Sequence, residues 1–119
     1  MRVTGRGVEW VVDAGGCDPA ALRSTEVLGR VFAEVVADLG LHAAAEPVFH
    51  RFSGEGGVTG FLLLQESHLA CHTYPEAGFA TLNLYTCGTG PQWPWEKRLA
   101  DLLGATSVSV RRLERGFDL

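Results

Sequence analysis

A serine at the junction of two apolar stretches, with an acid before it and a histidine after it, is out of place in a plain strand core. Here the run is Gln65-Glu66-Ser67-His68-Leu69, and a second histidine, His72, follows Ser67 by five residues. Glu76 comes next, in Tyr74-Pro75-Glu76, and Cys87 follows Ser67 by twenty residues, in Tyr85-Thr86-Cys87-Gly88. The set comprises one nucleophile, one base, one carboxylate and one thiol, all at or beside the ends of strand-like segments. A hydroxyl near a base is the starting point for nucleophilic chemistry at an acyl carbon. A serine hydrolase would carry its nucleophile on a Gly-x-Ser-x-Gly elbow, and both glycines are missing around Ser67. No buried aspartate partner is evident either. His68, Cys71 and His72 are metal-binding residue types, but on a strand Cys71 points away from the two histidines. The three cannot close round one ion without distortion, so no metal is expected. Spacing alone favours a structural role for the histidines, partly buried and hydrogen-bonded, over any catalytic one.

Periodicity places these residues on elements. Val8 to Val12 reads as a short strand, ended by the turn-forming Asp13-Ala14-Gly15-Gly16. Asp18-Pro19 is a helix-start signal, a side-chain cap followed by a proline whose missing N–H costs nothing there. Val27, Leu28, Val31, Phe32, Val35, Val36 and Leu39 then recur with helical spacing until Gly40, with Arg30, Glu34 and Asp38 turned to water. Strands are expected at Pro47–Phe52, Val58–Gln65, His68–Tyr74 and Phe79–Thr86, the last alternating Ala80, Leu82, Leu84 against Thr81, Asn83, Tyr85. A second helix runs from about Pro94 to Leu103, with Trp95, Leu99, Leu102 and Leu103 inward, and Val108–Leu113 is a final strand. Short hairpin links favour an α+β two-layer sandwich, a mainly antiparallel sheet with two helices on one face. The other face then needs water or a partner.

Composition bounds the rest. The 119 residues, 46% hydrophobic and 20% charged, suit one globular domain over residues 1–119. Ten Lys and Arg at a net charge of −4, with no basic run longer than Arg111-Arg112, argue against nucleic-acid and membrane partners. The longest fully apolar run, Phe61 to Leu64, cannot span a bilayer, and Met1 to Trp10 lacks an apolar stretch of signal-peptide length. The protein is expected in the cytoplasm, where Cys17, Cys71 and Cys87 would be free thiols.

Several of these segments recur together in one family. Glu66-Ser67-His68-Leu69, His72-Thr73-Tyr74-Pro75-Glu76, Gly78-Phe79-Ala80 and Tyr85-Thr86-Cys87-Gly88 resemble the prokaryotic S-adenosylmethionine decarboxylase proenzymes, which are pyruvoyl-dependent. Gly16-Cys17-Asp18-Pro19, His50-Arg51-Phe52 and Gly57-Val58-Thr59-Gly60 extend the resemblance to roughly Val8 to Gly116, and both the serine-to-histidine and serine-to-cysteine steps match.

The resemblance implies that the Ser67 hydroxyl attacks the carbonyl of Glu66 and turns the amide into an ester. β-Elimination then cuts the chain between Glu66 and Ser67, into 1–66 and 67–119, and leaves a pyruvoyl group at position 67 as covalent cofactor. It gives His72 the role of base in the elimination and Thr59 the place of a processing serine. Cys87 matches the thiol that returns a proton to the substrate carbon. Glu76 matches a residue that holds ribose hydroxyls, and Phe52 one that stacks on adenine. The pyruvoyl ketone would form a Schiff base with the amine of S-adenosylmethionine and take up electrons as carbon dioxide leaves, making the aminopropyl donor for spermidine. The Ser53 to Gly57 turn is one residue longer than usual, and Asn83 stands where the family often has aspartate. Two alternatives stay open: the same chemistry on arginine or ornithine, and an uncleaved, non-catalytic homologue that regulates a partner. Ser67 and His72 have opposite parity on a regular strand and lie roughly 16 Å apart if it is extended. They meet only if the chain turns sharply or another protomer contributes. The family's dimeric state, with sites near the subunit interface, implies a homodimer.

Overall fold

The computed structural model describes residues 6–87 and 92–116. Gly88 of the Tyr85–Gly88 motif and the first five residues of the N-terminal stretch lie outside them. The elements run β1 (Arg6–Gly15), α1 (Pro19–Leu22), α2 (Thr25–Leu39), β2 (Val48–Arg51), β3 (Val58–Leu64), β4 (Ser67–Tyr74), a 3₁₀ turn (Pro75–Ala77), β5 (Phe79–Cys87), α3 (Trp95–Leu103) and β6 (Ser107–Gly116). The six strands form one antiparallel sheet in the order β2-β3-β4-β5-β1-β6. This is the expected α+β sandwich.

Alternation along each strand divides the sheet into two faces. Val8, Trp10, Val12 and Ala14 of β1, Leu62 and Leu64 of β3, Leu69 and Cys71 of β4, and Ala80, Leu82 and Leu84 of β5 point one way and are buried. Leu28, Val31, Phe32 and Val35 of α2, with Trp95, Leu99 and Leu103 of α3, complete the core against them. Among the described residues no helix covers the opposite face. It carries Glu9, Thr59, His68, His72, Asn83 and Tyr85, together with exposed Val48, Phe61, Leu63 and Leu113.

Three expectations change. β1 runs on to Gly15, through the stretch read as a turn, because it is flanked on both sides: Asp13 and Ala14 pair with β5 and with β6 at once. The first helix is two. Asp18 caps α1 by accepting from Ala20 N–H, but Ser24 then adopts extended backbone and caps a fresh start by accepting from Val27 N–H. Glu34 and Asp38 do not simply face water. Arg98 of α3 donates to both, and the indole N–H of Trp93 donates to Asp38, so these acids tie α2 to α3.

Candidate active site

The β3–β4 hairpin decides where Ser67 sits. Leu64 pairs with Ser67, leaving Gln65 and Glu66 as a two-residue loop. Hairpins of this length favour turns with positive φ at the first loop residue, which match the strand twist. Here only the second is positive: Glu66 has φ of 58°, the one non-glycine residue in that region among those described. A side chain in this conformation costs roughly 1–2 kcal/mol, and it is placed at the residue whose carbonyl Ser67 would attack.

β5 brings the thiol to the same place. His68 pairs with Tyr85, and continuing that register two places sets Cys87 level with Glu66. Cys87 Sγ donates to the Glu66 carbonyl oxygen at 3.0 Å, so the twenty-residue serine-to-cysteine step is a consequence of strand register. Burial, and then the Glu66 carboxylate, push the Cys87 thiol above its ordinary pKa. It therefore stays protonated, as a donor must. Ser67 Oγ donates weakly to the Gln65 carbonyl at 3.4 Å. A cavity of about 450 Å³ opens here, lined by Glu9, Glu66, Ser67, His68, Tyr85 and Arg115.

His72 and Thr59 are at the other end of the same hairpin. They are a cross-strand pair, with Thr59 Oγ1 3.1 Å from His72 Nδ1. Phe52, Thr59, His72, Tyr74 and Glu76 line a second cavity of about 490 Å³. The 3₁₀ turn carries Glu76 to its rim, and Gly78, at φ of 63°, ends that turn. Phe52 N–H bonds to the Gly57 carbonyl at 2.8 Å, which closes the Ser53–Gly57 loop over the same cavity. The wall is anchored to the core through Thr73, whose hydroxyl accepts from Val58 N–H and donates to the Leu22 carbonyl.

The predicted site residues thus form two groups. Glu66, Ser67 and Cys87 meet; Thr59, His72, Phe52 and Glu76 share a cavity; the two groups do not meet within the chain. At about 3.3 Å per strand residue, roughly 16 Å separates Ser67 from His72 along β4. Cys71 lies on the buried face, away from both histidines, and burial pushes its thiol up to about 11. Glu9, Arg115 and Tyr74 went unseen in the sequence. For Glu9 there was a signal, an acid within the apolar run Gly7-Val8-Glu9-Trp10-Val11-Val12.

Replacing Glu66 by Gly would relieve the backbone at the loop. If that strain promotes attack by Ser67, Glu66→Gly is expected to slow chain cleavage by up to about tenfold, the equivalent of roughly 1.4 kcal/mol. Glu66→Gln, which removes the charge but keeps the side chain, cleaves at the parent rate at neutral pH. Time courses of intact mass separate the two.

The chain compares closely with known proteins. The sequence profile described as S-adenosylmethionine decarboxylase matches residues 8–116. An S-adenosylmethionine decarboxylase proenzyme of Thermococcus onnurineus (strain NA1) is 41% identical over 114 residues, covering 94% of this chain and 79% of the relative. A proenzyme of the same name from Caldicellulosiruptor saccharolyticus is 31% identical over 119 residues, covering 98% and 92%. Among solved structures, the adenosylmethionine decarboxylase of Aquifex aeolicus VF5 superposes with a TM-score of 0.78 at 24% identity, over 98% of this chain and 94% of that one. With a profile match across nearly all of its length, the chain belongs to the S-adenosylmethionine decarboxylase family.

Proposed function

We propose that the chain is the precursor of a self-processing S-adenosylmethionine decarboxylase whose active site is built by two copies. The contact of Cys87 Sγ with the Glu66 carbonyl oxygen, at 3.0 Å, carries the reading. Attack by Ser67 Oγ on that carbonyl closes a five-membered ring and drives charge onto the oxygen, where a thiol donor stabilises it. Collapse of the ring breaks the Glu66–Ser67 C–N bond, leaving an ester and a free amine at residue 67. A base then takes the Cα proton of residue 67, the Cβ–O bond breaks, and the first chain leaves with a carboxylate at Glu66. Water converts the remaining unsaturated amine to a ketone and ammonia. Serine, carbonyl and thiol donor are side by side, so the residues present fit a pyruvoyl group made at position 67. That ketone supplies an electron sink for the amine of a substrate amino acid.

The base is His72, oriented by Thr59, and it comes from a second copy. The uncovered sheet face is apolar enough to pair, with Val48, Phe61, Leu63 and Leu113 exposed on it. A two-fold axis across this face would set the Ser67–Cys87 end of one hairpin against the Thr59–His72 end of its partner, giving two complete sites per dimer. The Phe52–Glu76 cavity would then hold the nucleoside, with the ring of Phe52 as a stacking surface and Glu76 accepting from ribose hydroxyls. Cys87 would return a proton to the substrate carbon. No helix among the described residues is long and apolar enough to cross a membrane. We place the enzyme in the cytoplasm, where its three free cysteines would persist.

Intact mass spectrometry tests the cleavage and carbon dioxide release tests the substrate. The expected products are residues 1–66 and a pyruvoyl-blocked 67–119, with release from S-adenosylmethionine and none from arginine or ornithine. A single full-length species after long incubation would sink the reading and favour a regulatory homologue.

A further inference from the structure

The half-site at the hairpin tip continues across three more strands. His68 lies between two aromatic rings, Phe61 of β3 at 6.0 Å and 23°, and Tyr85 of β5 at 5.8 Å and 9°. Its Nε2 is 3.1 Å from Asn83 Oδ1 on β5. Asn83 Nδ2 in turn donates to Oε2 of Glu9 on β1, and Arg115 of β6 donates to Oε1 of the same carboxylate. Glu9 is 17% exposed and sits between buried Val8 and Trp10. We propose that Glu9 is a positioning residue for the cleavage site: through Asn83 it holds His68, the residue bonded to the reacting serine, in one orientation and one tautomer. The inference rests on the self-cleavage reading above.

The chain of hydrogen bonds has only one consistent polarity. The bond from Asn83, opposed by burial and reinforced by Arg115, keeps the Glu9 carboxyl below its usual pKa, so it is ionised and can only accept. Asn83 must therefore turn its NH₂ towards Glu9 and its oxygen towards His68. An amide oxygen only accepts, so Nε2 of His68 carries a proton. In the neutral ring Nδ1, the nitrogen nearer the backbone, then keeps its lone pair. The rings of Phe61 and Tyr85 fix the plane of the imidazole, and the Asn83 bond fixes its rotation within that plane. His68 is also the residue whose backbone nitrogen bears the acyl group of position 67 after cleavage. Slack in the His68 ring would pass directly to the reacting atoms, where errors of about 1 Å can cost 10²-fold in rate.

The test compares the parent chain, Glu9→Gln, and Glu9→Gln combined with Asn83→Asp, each first checked for an unchanged thermal transition. Glu9→Gln removes the fixed acceptor, so the Asn83 amide can turn over. The double variant returns a carboxylate, now directly against Nε2 of His68. Two readouts are taken: the cleavage rate by intact mass, and the His68 ring nitrogens by ¹⁵N NMR. The expected result is an Nε2–H tautomer in the parent, a tautomer mixture with about tenfold slower cleavage in Glu9→Gln, and recovery of both in the double variant; tenfold is the lower end of what losing an outer partner costs metal-bound histidines. An Nε2–H tautomer that persists in Glu9→Gln overturns the proposal, whatever the rate does. So does a double variant in which neither readout recovers. A parent chain that never cleaves removes the self-cleavage reading, and the NMR readout alone then decides whether Glu9 sets the tautomer.

Discussion

Co-expression of Ser67→Ala and His72→Ala chains is expected to restore a cleavage that neither variant shows alone, and to restore it on one of the two chains only. Homodimers of Ser67→Ala have no nucleophile, and homodimers of His72→Ala have no base. In a mixed dimer one interface joins the intact Ser67–Cys87 end of the His72→Ala chain to the intact Thr59–His72 end of its partner. The other interface lacks both groups. The cut products must therefore come from the His72→Ala chain, which its mass identifies, and yield cannot pass half of all chains. The roughly 16 Å between Ser67 and His72 along β4 is too far for contact within one chain. Cleavage of His72→Ala by itself, or products derived from the Ser67→Ala chain, would show that the site is not shared.

Removing the Cys87 thiol is the second large effect. Loss of one donor at a developing oxyanion commonly costs about 10²–10³ in rate, so Cys87→Ala is expected to slow cleavage on the order of 10²-fold. Cys87→Ser keeps a donor at the same place and loses far less. The pH dependence has a definite sign. Cleavage needs the thiol protonated, and both burial and the Glu66 carboxylate push its pKa up. The thiol therefore limits the rate only on the alkaline side, above its ordinary range. Glu66→Gln removes one of the two causes and brings the alkaline limb down in pH. A limb that ignores both Cys87→Ser and Glu66→Gln would take the thiol out of the cleavage step.

Much of this was legible in the sequence because strand parity and chemistry agree. Ala80, Leu82 and Leu84 bury while Thr81, Asn83 and Tyr85 do not, as their alternation requires. Register then turns the Ser67 to Cys87 spacing into a contact with Glu66 that neither residue advertises by itself. Opposite parity also flagged the separation of Ser67 from His72 in advance. Most of what could not be read is non-local. Glu9 stands out in sequence only as an acid in an apolar run; its partners, Asn83 and Arg115, come from β5 and β6 on either side. Ser24 was hidden within a helical pattern because its cap competes with the helix only through its own side chain. Glu34 and Asp38 read as solvent-facing because their partners, Arg98 on α3 and Trp93 just before it, lie far away in sequence.

The strand order has a consequence for what happens once the hairpin tip is cut. The break would fall between β3 and β4, and β1 from the first piece lies between β5 and β6 from the second. The two products are interleaved, with β1 bonded along both edges, so severing the loop costs at most the Leu64–Ser67 pair at its tip and releases nothing. Unfolding would be another matter: the nicked protein has lost the tether that first threaded β1 into its slot. Regaining the fold would require two separate polypeptides to find each other, at a rate that depends on concentration, whereas the uncut chain can do it alone.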